Sequence, residues 1–256
     1  MKKSLLILLI TFSLFFMCEN NKSEKNNKPS PVIANKSAII STTDSISKAD
    51  RHNNLFSNAG FEYGKLHWCW LEWSEAWAPY KITDELAHSG THSALLPLRS
   101  EGESRPTVVW GVVQKVIVGK EPPDCLEGFF YIKNWKRGTG KQYLQVAVIN
   151  ESHTLFLSTA QIRYILTGVT EVPYKRAGNV KYIFLEKNTE PLQNTWLKFK
   201  MNPTDDFLRA WGRPLQQGDT LKVFFEARYD DLIHSTQTAS TDVYYDDLYF
   251  GSSKIE

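Results

Sequence analysis

Three groups of residues in this 256-residue chain have types and spacings suited to chemistry. The first lies in the run Thr241-Asp242-Val243-Tyr244-Tyr245-Asp246-Asp247-Leu248-Tyr249-Phe250. Its β-branched and aromatic content reads as a strand that stops at Gly251-Ser252-Ser253. Strict alternation puts Asp246 on the side of Leu248 and Phe250, the side expected to face a core. A carboxylate so placed is costly unless a cation or several donors neutralise it. A structural calcium ligated by Asp246 meets that need. Backbone amides or an arginine are the other ways of meeting it.

The second group is the tryptophan-rich stretch Trp68-Cys69-Trp70-Leu71-Glu72-Trp73, continuing to Trp77 and Tyr80. Indole rings stack on the apolar C–H faces of sugar rings, and Glu72, Glu75 and Tyr80 could meet the surrounding hydroxyls. In a strand, Trp68 and Trp70 share one face and Trp73 takes the other, so at least one of them is expected to serve the core. The third group is the loop Lys133-Asn134-Trp135-Lys136-Arg137-Gly138-Thr139-Gly140-Lys141. Trp135 in this basic setting could meet an anionic glycan or a phospholipid headgroup, although a solvated hairpin is the commoner use of such a run.

Other residues are better explained without a ligand. His88 and His92 are four apart, but they flank Ser89-Gly90 in a turn, where that spacing has no helical meaning. Asp205-Asp206 and Asp230-Asp231 fall at a helix start and a turn, where capping explains them. The chain contains no nucleophile elbow, phosphate-binding loop or paired-histidine metal motif. Its net charge of +2 points to no nucleic-acid partner. Cys69 and Cys125 could form a disulfide in an oxidising compartment or remain two buried thiols.

The elements that must position these groups follow in order. Met1-Lys2-Lys3-Ser4 and the apolar run from Leu5 to Met17 have the form of an export signal, too short to span a bilayer. Residues 19–53 are rich in Asn, Lys and Ser and read as a disordered, flexible tether. From residue 54 to residue 253, about ten strand-like runs separated by turn signals predict an all-β sandwich or jelly roll. One helix is expected, opening at Asn202-Pro203-Thr204-Asp205-Asp206 and closing at Gly212. Eight Trp, 11 Tyr and 14 Phe suit such a core, a ring-stacking surface, or both.

Two resemblances complete the reading. The first 18 residues, ending at Cys18 with Glu19-Asn20-Asn21-Lys22 after it, resemble a bacterial lipoprotein signal. That implies lipidation of Cys18 and a membrane-anchored place in the bacterial envelope; a cleaved secretory signal is the alternative. Asn58-Ala59-Gly60-Phe61-Glu62, His88-Ser89-Gly90-Thr91-His92-Ser93 and Val243-Tyr244-Tyr245-Asp246-Asp247-Leu248 occur in that order. Together they resemble the calcium-containing, galactose-binding-like jelly rolls of carbohydrate-binding modules attached to xylanases and glucanases. The resemblance implies a calcium held by Glu62 and Asp246, with carbonyl oxygens from Gly60 and near Ser89. It also implies a non-catalytic head that binds a polysaccharide through Trp68, Trp70, Trp73, Trp77, Glu72, Tyr80 and Trp135. An adhesion module and a glycan hydrolase on the same scaffold are the rival readings.

Overall fold

The computed structural model describes residues 38–40, 53–155, 157–173 and 178–253. The export segment and Cys18 lie outside the described residues, as does most of the expected tether. The strands are β1 (Ala38–Ile40), β2 (Trp77–Pro79), β3 (Lys81–Thr83), β4 (Ser93–Arg99), β5 (Thr107–Ile117) and β6 (Cys125–Lys136). They continue with β7 (Lys141–Leu155), β8 (Ser158–Thr167), β9 (Val180–Phe184), β10 (Trp196–Met201), β11 (Thr220–Asp230) and β12 (Ser240–Gly251). One helix, α1 (Pro203–Trp211), stands between β10 and β11.

Among the described residues the strands form two six-stranded sheets, in the orders β1-β10-β6-β12-β4-β3 and β2-β5-β11-β7-β8-β9. The described residues are therefore all-β, a jelly-roll sandwich with one short α-helix. β1 falls in the stretch expected to be tether, and it pairs antiparallel with β10 from Ala38–Lys200 to Ile40–Lys198. Two successive isoleucines give that short run the β-branched character an edge strand needs.

The core follows from alternation. Leu221, Val223, Phe225, Ala227 and Tyr229 of β11 point between the sheets, as do Leu144, Val146 and Val148 of β7 and Ile162, Tyr164 and Leu166 of β8. α1 is set as expected. The Asn202 side chain accepts the Asp205 N–H at 3.0 Å, and Gly212 closes the helix at φ 69°. It is docked on the second sheet, where Tyr164 donates to Asp206 at 2.8 Å.

In β12 strict alternation fails. Asp246 faces Phe129 of β6, yet Tyr249 faces Glu127, so β12 holds one residue more than its partner. The extra residue is a β-bulge, and Asp247 adopts φ +48° there. Val243 and Tyr245 before it, and Leu248 and Phe250 after it, all reach the core. Asp246 is consequently turned to the opposite side from Leu248, which corrects the expectation that it lies under the strand with that residue. It is nonetheless fully buried, because the segment from His88 folds over it.

Several expected ligand residues belong to the interior. Trp68 packs on Phe56, Phe61 and Phe225 at ring-centroid distances of 5.3, 5.0 and 6.0 Å, and donates its indole N–H to the Asn58 carbonyl at 2.9 Å. Tyr80 is buried and donates to the Trp68 carbonyl at 3.1 Å. Trp135 is 9% exposed and sits within the core cluster. These three rings fill the sandwich and present no face to a ligand. Cys69 and Cys125 do not form a disulfide. Cys69 bridges to Val113 of the second sheet, whereas Cys125 opens β6 of the first. Trp68→Ala is accordingly expected to lower stability by about 3–5 kcal/mol. Denaturant melts check this, and a loss below about 1 kcal/mol would show that Trp68 is not a core residue.

Candidate functional site

Two places on the sandwich gather chemistry-bearing side chains. The first is the corner where the three sequence motifs meet. The opening segment runs along the end of β12: Leu55 donates to the Phe250 carbonyl at 2.7 Å, and Leu248 donates to the Ala59 carbonyl at 3.1 Å. The Asn54 side chain bridges the same strand, donating to the Leu248 carbonyl and accepting from the Phe250 N–H. This places Gly60 against the bulge. A Cβ on Gly60 would lie 3.5 Å from Asp246 Oδ1, 3.8 Å from Asp247 Oδ1 and 4.0 Å from Glu62 Cγ.

The segment 88–92 closes the corner from the other side. Asp246 Oδ2 accepts the His88 N–H at 2.7 Å and the Ser89 N–H at 3.2 Å. Asp247 accepts the Ser89 hydroxyl at 2.7 Å and meets His88 Nδ1 at 2.6 Å. Glu62 accepts the Thr91 N–H at 2.9 Å, the Thr91 hydroxyl at 2.7 Å and the His92 N–H at 3.1 Å. Gly90 is needed here on two counts: its φ is +67°, and a Cβ would collide with Glu62 Oε1.

The electrostatics of the two expected metal ligands run in opposite directions. Burial first, and the neighbouring Asp247 carboxylate second, push the Asp246 pKa up to about 7, against the lowering by the N–H groups of Ser89, Asp247 and His88. Partial burial also raises Glu62, but the hydrogen bonds from Thr91 and His92 outweigh it and pull the pKa down to about 2. Among the described residues no three of His, Cys, Asp or Glu converge as a ready-made metal cage. The donor set nevertheless suits a hard cation. Asp246 is a buried carboxylate beside a second one, and its hydrogen bonds come only from amides, so no positive charge offsets it.

The second place is the face of the second sheet turned away from the core. The ring of Trp77 from β2 lies over Gly111 of β5, where any Cβ would collide with it. It packs at 5.7 Å against Phe224 of β11, beside Val109, Val113 and Ala147. Trp70, Leu71 and Ala76 pack on the same apolar cluster, and between them Trp73 stands 69% exposed. Glu72 beside it is exposed as well. Of the expected tryptophans, Trp73 is thus the exposed one, Trp70 is half-buried, and Trp77 is laid flat on the sheet.

Next to this aromatic edge the same face becomes polar. Glu226 lies opposite Gly111 on one side and Gln145 on the other, and Arg228 lies opposite Tyr143. Gln145 Nε2 and Arg228 Nη1 both donate to Glu226 Oε2, the latter at 3.2 Å. Asp230 accepts from Arg228 at 3.2 Å, from Thr107 at 2.8 Å and from the Tyr143 hydroxyl at 2.6 Å. Burial drives the Tyr143 pKa well above its ordinary value, so that hydroxyl remains a donor. Gln145 Oε1 is buried and accepts no hydrogen bond.

Of these polar residues the sequence draws attention only to Asp230, expected in a turn, whereas it closes β11 and is buried under donors from Thr107, Tyr143 and Arg228. The signal is present in β11, where Lys222, Phe224, Glu226, Arg228 and Asp230 alternate with the core residues. A charged outward row of that kind reads as a solvated face, and only the sheet packing shows that it is largely buried.

No family model matches this chain, and no curated protein matches it. Similar solved structures are carbohydrate-binding modules, the family that the three motifs resemble. One is a module described as specific for non-crystalline cellulose, CBM28, at 14% identity and a TM-score of 0.44, covering 77% of this chain and 95% of that one. Another comes from work on promiscuous specificity in carbohydrate-binding modules of the β-sandwich superfamily, at 11% identity and TM-score 0.43, covering 77% and 62%. A third is the CBM22-1 xylan-binding domain of Xyn10C from Paenibacillus barcinonensis, at 13% identity and TM-score 0.35, covering 77% and 94%. At these levels any functional argument rests on the geometry of the chain itself.

The two carboxylates of the corner dictate a pH dependence for the metal-free protein. The folded-state pKa of Asp246, about 7, exceeds its ordinary 3.8, so the folded form keeps a proton that the unfolded chain has lost. Its stabilising contribution is complete below about pH 4 and is lost as pH rises through 7. Glu62 acts in the other sense, contributing above pH 4.5 and losing that contribution as pH falls towards 2. In EDTA, Asp246→Asn is expected to flatten the fall in melting temperature between about pH 5 and 8. A variant curve parallel to the wild type would contradict this assignment.

Proposed function

We propose that this chain is a non-catalytic glycan-binding protein that takes a saccharide on the outer face of its second sheet. The observation that carries this reading is the composition of that face. The ring of Trp77, buried over Gly111, adjoins planar hydrogen-bonding groups from Gln145, Glu226 and Arg228, and the exposed Trp73 stands on the segment leading into it. Sugars need this combination, an apolar plate for their C–H faces and planar partners for their hydroxyls. Gln145 Oε1 is an acceptor still without a donor, and a sugar hydroxyl would supply one.

The same face argues against hydrolysis. Glu226 and Asp230 stand on one strand with Arg228 bonded to both, rather than facing each other across a scissile bond. An adhesion surface is the second reading, favoured by the exposure of Tyr63, Leu66 and Trp73.

The reading extends to the corner of the three motifs. A calcium there would be held by the carboxylates of Glu62 and Asp246, with Gly60 and Ser89 contributing backbone oxygen. Asp247, missed in the sequence reading as a ligand, brings a third carboxylate to the same point. The ion would supply the positive charge that the amide-bonded Asp246 lacks, tying the opening and closing segments together. Anchoring to a bacterial envelope through a lipidated Cys18 and the tether rests on the signal sequence.

Affinity electrophoresis against a panel of neutral and acidic polysaccharides tests the binding. Trp73→Ala is expected to weaken it roughly tenfold without lowering the melting temperature. Unchanged affinity on every polymer bound would remove the aromatic edge from the site. For the ion, EDTA is expected to lower the melting temperature and calcium to restore it; identical melts would dispose of the metal.

A further inference from the structure

Among the described residues the arginines are paired with carboxylates, with one exception. Arg99, Arg105, Arg137, Arg209, Arg213 and Arg228 each have a carboxylate within 4.0 Å. Arg163 has none, although at 9% exposure it is as buried as Arg228. Its one hydrogen bond runs from Nη2 to Gln161 Oε1 at 3.2 Å, and its Nε–H is buried without an acceptor. A guanidinium does not lose its proton in a protein, so the charge cannot be relieved by titration. A buried cation without an anion is costly, and an anion brought from outside would offset that cost.

Arg163 lies on the outer face of the second sheet. Alternation along β8 sends Ile162 and Tyr164 to the core and Arg163 away from it. Directly across from it stand Ala147 on β7 and Tyr182 on β9. Ala147, the small residue in this row, separates Arg163 from Phe224 and the Trp77 ring packed on it. Gln145 is the diagonal neighbour, about 7–8 Å away along the sheet. Two unsatisfied groups of opposite sense, the Arg163 Nε–H donor and the Gln145 Oε1 acceptor, therefore share one stretch of this face.

We propose that Arg163 receives the carboxylate of a uronic-acid residue, so that the ligand of this face is an acidic glycan. The inference rests on the reading of the outer face as a saccharide site. The planar fork of a guanidinium matches a carboxylate in two parallel hydrogen bonds, and Gln145 Oε1 takes a hydroxyl of the same or the adjoining ring. Glu226 and Asp230 do not compete for Arg163, because both are engaged by Arg228.

The test uses the full chain with polygalacturonate, alginate and glucuronoxylan, each beside its carboxyl-reduced neutral counterpart, and with dextran sulfate. The wild type is expected to bind at least one uronate polymer tenfold or more above its reduced form, with the preference shrinking as salt is raised. Arg163→Gln is expected to bind the reduced polymers like the wild type, lose the preference, and melt at a higher temperature without ligand, because an unpaired buried charge is gone. Arg163→Lys keeps the charge without the fork and is expected to lose most of the preference. It decides the matter should Arg163→Gln fail to fold. A wild type that prefers the reduced polymers, or variants that keep the full preference, overturn the inference and leave the saccharide site standing. Tighter binding of dextran sulfate than of any uronate overturns the carboxylate assignment. Failure to bind any polymer, charged or reduced, overturns the inference and the saccharide site together.

Discussion

The sandwich depends on how the Asp246 carboxylate is buried. One added residue in β12 turns this side chain away from the core, and the amides of His88 and Ser89 then cover it. The same bulge brings Asp247 to the Ser89 hydroxyl and the His88 ring. Gly60 packs against both carboxylates, and Glu62 reaches over to Thr91 and His92. Segments nearly two hundred residues apart in sequence are thus joined through a few oxygen atoms. Because those oxygens are carboxylates, the joint is sensitive to protons and to any cation that reaches it.

That joint lies on the first sheet, and the proposed saccharide face lies apart from it on the second. β11 shows the division of labour most clearly. Its inward row is wholly apolar up to the Tyr229 ring, and its outward row carries Glu226, Arg228 and Asp230 in a chain of ion pairs. Such pairs add little net stability when buried, since desolvation offsets their attraction. Their value on this face is geometric: they fix planar groups at set positions beside an aromatic edge.

Much of the fold was legible in the sequence, and part of the site was not. The strand pattern, the helix with Asn202 and Gly212 at its ends, and the contrast of Val112 with Val113 in β5 all follow from local rules that the structure obeys. Asp246 was recognisable as a carboxylate needing neutralisation, but for a reason the bulge overturns. Alternation cannot foresee an inserted residue when Asp247, rather than glycine, adopts the left-handed conformation. The tryptophans mislead for a different reason. Trp68, Trp73 and Trp77 have the same local chemistry, and only packing decides that the first is core, the second exposed and the third pressed onto Gly111. Gln145 and Arg163 were invisible because an unsatisfied atom is a property of neighbours, not of residue type.

The pairing of Leu55 with Phe250 has a further consequence, for how the head is connected to anything else. Asn53 and Gly251 touch, so a Cβ on the glycine would strike the Asn53 carbonyl. Between Asn53 and Gly251 the chain therefore leaves the sandwich where it came in, with β1 as the one strand contributed from upstream of that seam. A segment whose two ends meet in this way suits insertion into a surface loop of a host protein, with only the β1 pairing on β10 left to be replaced.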